Sequence, residues 1–246
     1  MKSPHPDWII PRWPAPANVR ALITTRAGGV SQGPFESLNL GLRTGDDPQS
    51  VSANRAQLEA LLPQPPRWLR QVHGATVVEG DSLADAPEAD ACIARRPGTV
   101  CGVLVADCIP VLLADRAGTI VAIAHAGWRG LAAGVVENAV GRMAVEPRNL
   151  VAYLGPGIGP TAFEVGRDVR DAFVGRDARS QVAFAPHAAG KWLADLFLLA
   201  RQSLQRAGVE DIHGGSACTY SDAARFFSYR RERTTGRMAA LVWRTG

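Results

Sequence analysis

The densest apolar patterning lies in the middle of the chain. Thr99–Ala106, Pro110–Ala114 and Thr119–Ala124 are short runs rich in Val, Ile and Leu, separated by Asp107-Cys108 and by Asp-Arg-Ala-Gly at 115–118. Runs of this length between turn residues predict buried strands. Val19–Thr25, Leu150–Leu154, Ile212 and Met238–Trp243 predict further strands, and WLRQVHGATVVEG predicts strand, turn and strand around Gly74. Helical spacing appears at Val51–Leu62, behind Asp46 and Asp47, and again at Leu131–Ala144 and Val165–Val174. A further helix is predicted over Lys191–Ala207, closed by Gly208. Strands and helices mix without a regular βαβ alternation, which predicts an α+β fold. The reading is an extended segment over 1–18, with five prolines in Ser3–Pro16, followed by one domain over 19–246.

Composition narrows the function classes. The 246 residues carry 27 Lys+Arg against 23 Asp+Glu, a net charge of +4. That balance accommodates anionic small molecules without demanding nucleic acid. The cysteines at 92, 101, 108 and 218 form no CxxC, which favours reduced thiols and a cytoplasmic protein. Asp107 and His125 interrupt the most apolar stretches, so no membrane span is expected. Lys2 is followed by no apolar run, so no secretory signal is expected either. Gly190-Lys191 is followed by Trp192, which is no P-loop. GPGIGP at 155–160 reads as a rigid turn, because its prolines remove the amides a dinucleotide loop would use.

Three residues carry candidate metal chemistry. His73 in QVHG, Cys108 in ADCIP and His125 in AHAGWRG each sit where a predicted strand meets a turn. Two imidazoles and a thiolate suit a catalytic Zn²⁺ with one position open. Separations of 35 and 17 residues match no local zinc motif, so a buried core thiol with structural histidines remains open. So does a nucleophilic Cys108 with His125 as base and Asp107 or Asp90 as orienter. Arg129 and Arg26 lie in glycine-flanked loops where a guanidinium can grip an oxyanion. Arg225–Arg237 interleaves five arginines with Phe226, Phe227 and Tyr229, the pattern of a single-stranded RNA contact or of a solvated strand with buried rings.

Taken together, TTRAGGVSQGPFESLNLG, QVHG, ADACI, ADCIPVLLAD, AHAGWRG, GPGIGPTAFEVG and the C-terminal CTYSD, FFSYRRE and TGRMAALVW occur in order. They resemble the bacterial laccase-domain family, also described as polyphenol-oxidase-type or purine nucleoside phosphorylase proteins. The resemblance implies an α+β fold with mixed sheets and flanking helices, akin to cysteine-hydrolase-like deamidases. It implies one zinc held by His73, Cys108 and His125. It also implies phosphorolysis of adenosine, inosine, guanosine and methylthioadenosine, adenosine deamination, and for some members peptidoglycan-precursor editing as a Cys-His amidase. Phe163 stands where many relatives are expected to carry Tyr. With five histidines in total, the chain cannot furnish the ligands of a multicopper oxidase. In the lead reading, bound metal lowers the pKa of a water for attack at adenine C6, and Asp107 moves the proton. Arg129 and Arg26 hold phosphate, and Asn39 contacts sugar or base. The expected partners are purine nucleosides and phosphate, for a monomer or homodimer.

Overall fold

A computed structural model describes residues 3–83 and 85–246. Its centre is a six-stranded mixed sheet in the order β11 (Asp211–Gly214), β7 (Leu150–Leu154), β5 (Ile109–Asp115), β6 (Val121–Ala126), β3 (Ala91–Ala94) and β2 (Val77–Glu79). The β5 and β6 strands pair antiparallel, Ile109 opposite Ala126 and Pro110 opposite His125. An antiparallel second sheet, β1 (Val19–Ile23), β12 (Met238–Arg244) and β4 (Cys101–Val105), covers one face. Alternation assigns the side chains. Ile109, Val111 and Leu113 of β5 enter one core, while Leu112 and Ala114 enter the core shared with β4 and β12. Burial on both faces explains why these strands read as unbroken apolar runs.

Helices cover the other face. They are α2 (Trp128–Ala133), α3 (Val135–Met143), α4 (Arg167–Val174) and α5 (Leu196–Arg206). Helix α1 (Pro48–Glu59) starts where the sequence suggests, with the Asp47 carboxylate accepting from the amides of Gln49 and Ser50. A small sheet, β8 (Glu164–Val165), β10 (Trp192–Ala194) and β9 (Phe184–Pro186), flanks α4, and the short α6 spans Tyr229–Glu232. The proline-rich segment is not a loose tail. Trp8 is buried and Ile9 bridges to Ile23.

Several expected elements differ. The helix expected over 131–144 is two, broken at Gly134, whose φ of +90° is left-handed. The helix expected from Lys191 begins only at Leu196, capped by the Asp195 carboxylate, because Trp192–Ala194 is spent on the small sheet. Before Val77 the stretch from Arg67 through QVHG forms no strand and makes only isolated bridges, Arg67 to Cys101 and Arg70 to Glu88. Arg225–Arg237 is not a strand either. Phe226 and Phe227 are wholly buried and offer no face to a base, and Arg231 donates to the carbonyls of Thr219, Tyr220 and Phe226. Among the described residues no helix is long and apolar enough to cross a membrane.

Candidate metal centre

His73, Cys108 and His125 come from three different pieces of chain. Cys108 ends the turn between β4 and β5, where Asp107 has φ +94°. That left-handed residue ends the strand alternation, so Asp107 and Cys108 both face one cavity. His125 lies one residue before the end of β6, and His73 lies in the turn ahead of β2 with φ +59°. Their ligand atoms all lie within 4.8 Å of one another. Cys108 Sγ is 3.8 Å from His73 Nε2, and the two imidazole rings stand edge to face at 4.8 Å. Gly127 makes the approach feasible, since a Cβ there would sit 2.8 Å from Cys108 Sγ and 3.0 Å from the His73 ring.

The electrostatics favour ligation. Burial pushes the Cys108 thiol up, but the facing His125, with hydrogen bonds from both histidines, brings it down to about 6. Burial pushes His125 down, yet the Cys108 thiolate and the Asp90 carboxylate lift it to about 9. Without metal the site is therefore a thiolate beside an imidazolium, and a divalent cation can replace that shared proton. His125 Nδ1 lies 2.8 Å from Asp90 Oδ1, which leaves Nε2 as the ligating nitrogen. Two nitrogens and one sulfur fit zinc, with His73 on the exposed side. Among the described residues this is the one convergent group of three such side chains. His187 and His213 lie instead beside Glu164 and Asp211, and His5 beside Asp7.

The centre forms the floor of a cavity of about 800 Å³. Seven arginines line it, against a single carboxylate, Asp107. Arg129 is exposed and stacks on Trp128 at 4.4 Å. Among the described residues its guanidinium has no hydrogen-bond partner, nor do those of Arg43 and Arg233 in the same wall. Arg55 stacks over Trp68 at 4.8 Å, and Arg237 donates to the carbonyls of Thr235 and Gly236. Phe163 also lines the cavity, with Arg230 over its ring at 5.1 Å in place of any hydroxyl contact.

Two of the expected substrate-binding residues lie outside the cavity lining. Arg26 does not line the cavity. Its guanidinium donates to the carbonyls of Glu36 and Ala223, stacks over Phe227 and pairs with Glu232. Asn39 is fully buried and spent on Thr44, Asp46 and the amides of Gly41 and Arg237, so it shapes the rim loop without reaching a ligand. Asp107 does face the cavity, with Oδ1 accepting from Thr219 Oγ1 and Oδ2 from the Arg230 amide, both at 2.7 Å. Of the other wall arginines, Arg230, Arg233 and Arg237 come from the 225–237 segment that the sequence offers as an RNA contact or solvated strand, and Arg43, Arg55 and Arg70 carry no sequence signal. Arginine is the common cation of this chain, so no composition signal marks those that converge.

A profile of the family described as multi-copper polyphenol oxidoreductase laccase matches residues 20–245. The chain belongs to that family. Across this laccase family, a Pseudomonas aeruginosa protein named purine nucleoside phosphorylase is 55% identical, covering 96% of this chain and 98% of its own. The Escherichia coli protein named purine nucleoside phosphorylase YfiH is 54% identical over the same shares. A crystal structure of a Neisseria meningitidis protein superposes with a TM-score of 0.95 at 49% identity, covering 98% of this chain and all of the other. The α+β fold with mixed sheets is thus shared with solved laccase-family relatives.

Proposed function

We propose that this protein is a zinc-dependent purine nucleoside phosphorylase with adenosine deaminase activity, acting through His73, Cys108 and His125. One observation carries the reading. A ready-made His-Cys-His group floors a cavity lined by seven arginines and one carboxylate, in a chain resembling proteins named purine nucleoside phosphorylase. Zinc bound there supplies Lewis-acid polarisation and a lowered water pKa. The chain's own residues do the rest. Arg129, unpaired and at the start of α2, grips phosphate, with Arg43 and Arg233 beside it. A phosphate oxygen bonds to the ribose anomeric carbon as the bond to the purine nitrogen breaks. Asp107 holds one donor on each oxygen, so it retains a lone pair on each with which to take the proton of the attacking hydrogen phosphate and pass it to the departing base. In deamination the same carboxylate serves the attacking water. The four free cysteines support a reducing, cytoplasmic setting.

The test is base release from inosine with and without phosphate. Phosphorolysis predicts ribose 1-phosphate and no release when phosphate is omitted. Equal release in both would mark a hydrolase. A second reading rests on the chain Asp90–His125–Cys108, which without metal is a carboxylate, an imidazolium and a thiolate, the parts of a Cys-His amidase. Amide hydrolysis of a peptidoglycan precursor by fully chelated protein would favour it.

A further inference from the structure

Asp90 lies wholly buried one residue before β3, behind the metal centre and outside the cavity lining. Its carboxylate receives four donors. Oδ1 accepts from His125 Nδ1 at 2.8 Å and from the His73 amide at 3.0 Å. Oδ2 accepts from the Gly74 amide at 2.7 Å and the Val72 amide at 3.1 Å. An ionised carboxylate offers about four acceptor positions, so none is left for a metal, a water or a substrate proton. The backbone adds two ties, His125 N to Asp90 O at 2.7 Å and Asp90 N to Thr76 O at 3.1 Å. Nothing about Asp90 reaches the reacting atoms. Its carboxylate reaches the ring of one histidine and the backbone turn that carries the other.

It reaches them by two different routes. At His125 it holds the ring, since a proton fixed on Nδ1 presents the Nε2 lone pair to the centre. At His73 it holds the backbone. Three successive amides, 72 to 74, converge on one carboxylate, and the residue between the outer two is a histidine at φ +59°, where side chains with a Cβ seldom stay unaided. A charged acceptor at the focus of those amides rewards that turn and no extended alternative. Cys108 makes no hydrogen bond to Asp90 and is placed by its own turn instead.

We propose that Asp90 is the positioning residue of the metal centre, one carboxylate that sets the tautomer of one histidine ligand and the backbone turn that delivers the other. This inference rests on the metal reading above. Asp90→Asn keeps the size but turns one oxygen into an N–H donor facing amides. Zinc affinity of metal-free protein, measured by competition with a chromogenic chelator, should fall about ten- to a hundredfold. Hydrogen exchange should quicken at residues 72–74 while β5 and β6 stay protected. Cys108→Ala should lose affinity as well yet leave 72–74 slow, which separates positioning from ligation.

Unchanged affinity in Asp90→Asn overturns the proposal. So does faster exchange throughout the sheet, which would make Asp90 a general fold anchor. If the variant fails to fold, ¹⁵N imidazole spectra of the zinc-loaded wild type decide the matter. A proton on Nδ1 of His125 supports the proposal, and one on Nε2 refutes it. A wild-type chain without zinc affinity would sink the metal reading and this inference together. Affinity that Asp90→Asn retains would sink the inference alone.

Discussion

The floor of the cavity and its wall are built on opposite plans. The floor groups are held by partners that leave little freedom: His125 by Asp90, Cys108 by the turn at Asp107, and the space between them by Gly127. In the wall, Arg129, Arg43 and Arg233 are exposed, and their guanidinium groups have no partners among the described residues. A group that must present a lone pair in one direction needs a buried partner to aim it. A group that must attract an anion needs charge and reach, and exposed loop and helix-end positions supply both. Chemistry is therefore expected to fail abruptly when the floor is altered and gradually when the wall is.

Cys108→Ala should break the comparison most severely. Zinc should fall from one per chain to near none, with base release at background, read by elemental analysis and a nucleoside assay. Asp107→Asn comes next, since it preserves an acceptor for Thr219 or Arg230 but loses the titrating oxygen. Turnover should drop by about 10²–10⁴ with zinc retained. Near-normal turnover in zinc-loaded protein would reduce Asp107 to a cap. Arg129→Ala should raise the phosphate KM about tenfold, some 1.4 kcal/mol, with kcat for saturating phosphate little changed. An unaltered phosphate KM would remove Arg129 from the anion site. Arg26→Ala sharpens the contrast from the other side. It should leave the phosphate KM alone and cost about 1 kcal/mol in unfolding free energy, through its lost hydrogen bonds to Glu36 and Ala223.

What could be read from the sequence follows the same division. The apolar runs of β4 to β7 announce themselves because they are buried on both faces, and Cys108 and His125 stand at or near their ends, whereas His73 lies in the turn ahead of β2. β3 was not foreseen. Ala-Cys-Ile-Ala is short and has only one β-branched residue, and its strand character comes from pairing with β2 and β6. The break at Gly134 has a physical cause visible only in three dimensions, because apolar spacing continues through it while the backbone turns left-handed. Arg26 and Asn39 have site-like chemistry and sit in a glycine-rich loop, yet they are spent on backbone groups of that loop and of the C-terminal segment. Local sequence shows which residues can bind. It does not show which are already bound to the protein.

The proposed function requires that one zinc on His73, Cys108 and His125 serve a phosphate-dependent reaction. The most direct measurement purifies the protein without added metal, determines zinc per chain, and assays inosine with and without phosphate before and after chelation. The expected result is zinc near one per chain, ribose 1-phosphate formed only with phosphate, and activity lost on chelation and restored by zinc. Full activity in metal-free protein, or base release indifferent to phosphate, would contradict it.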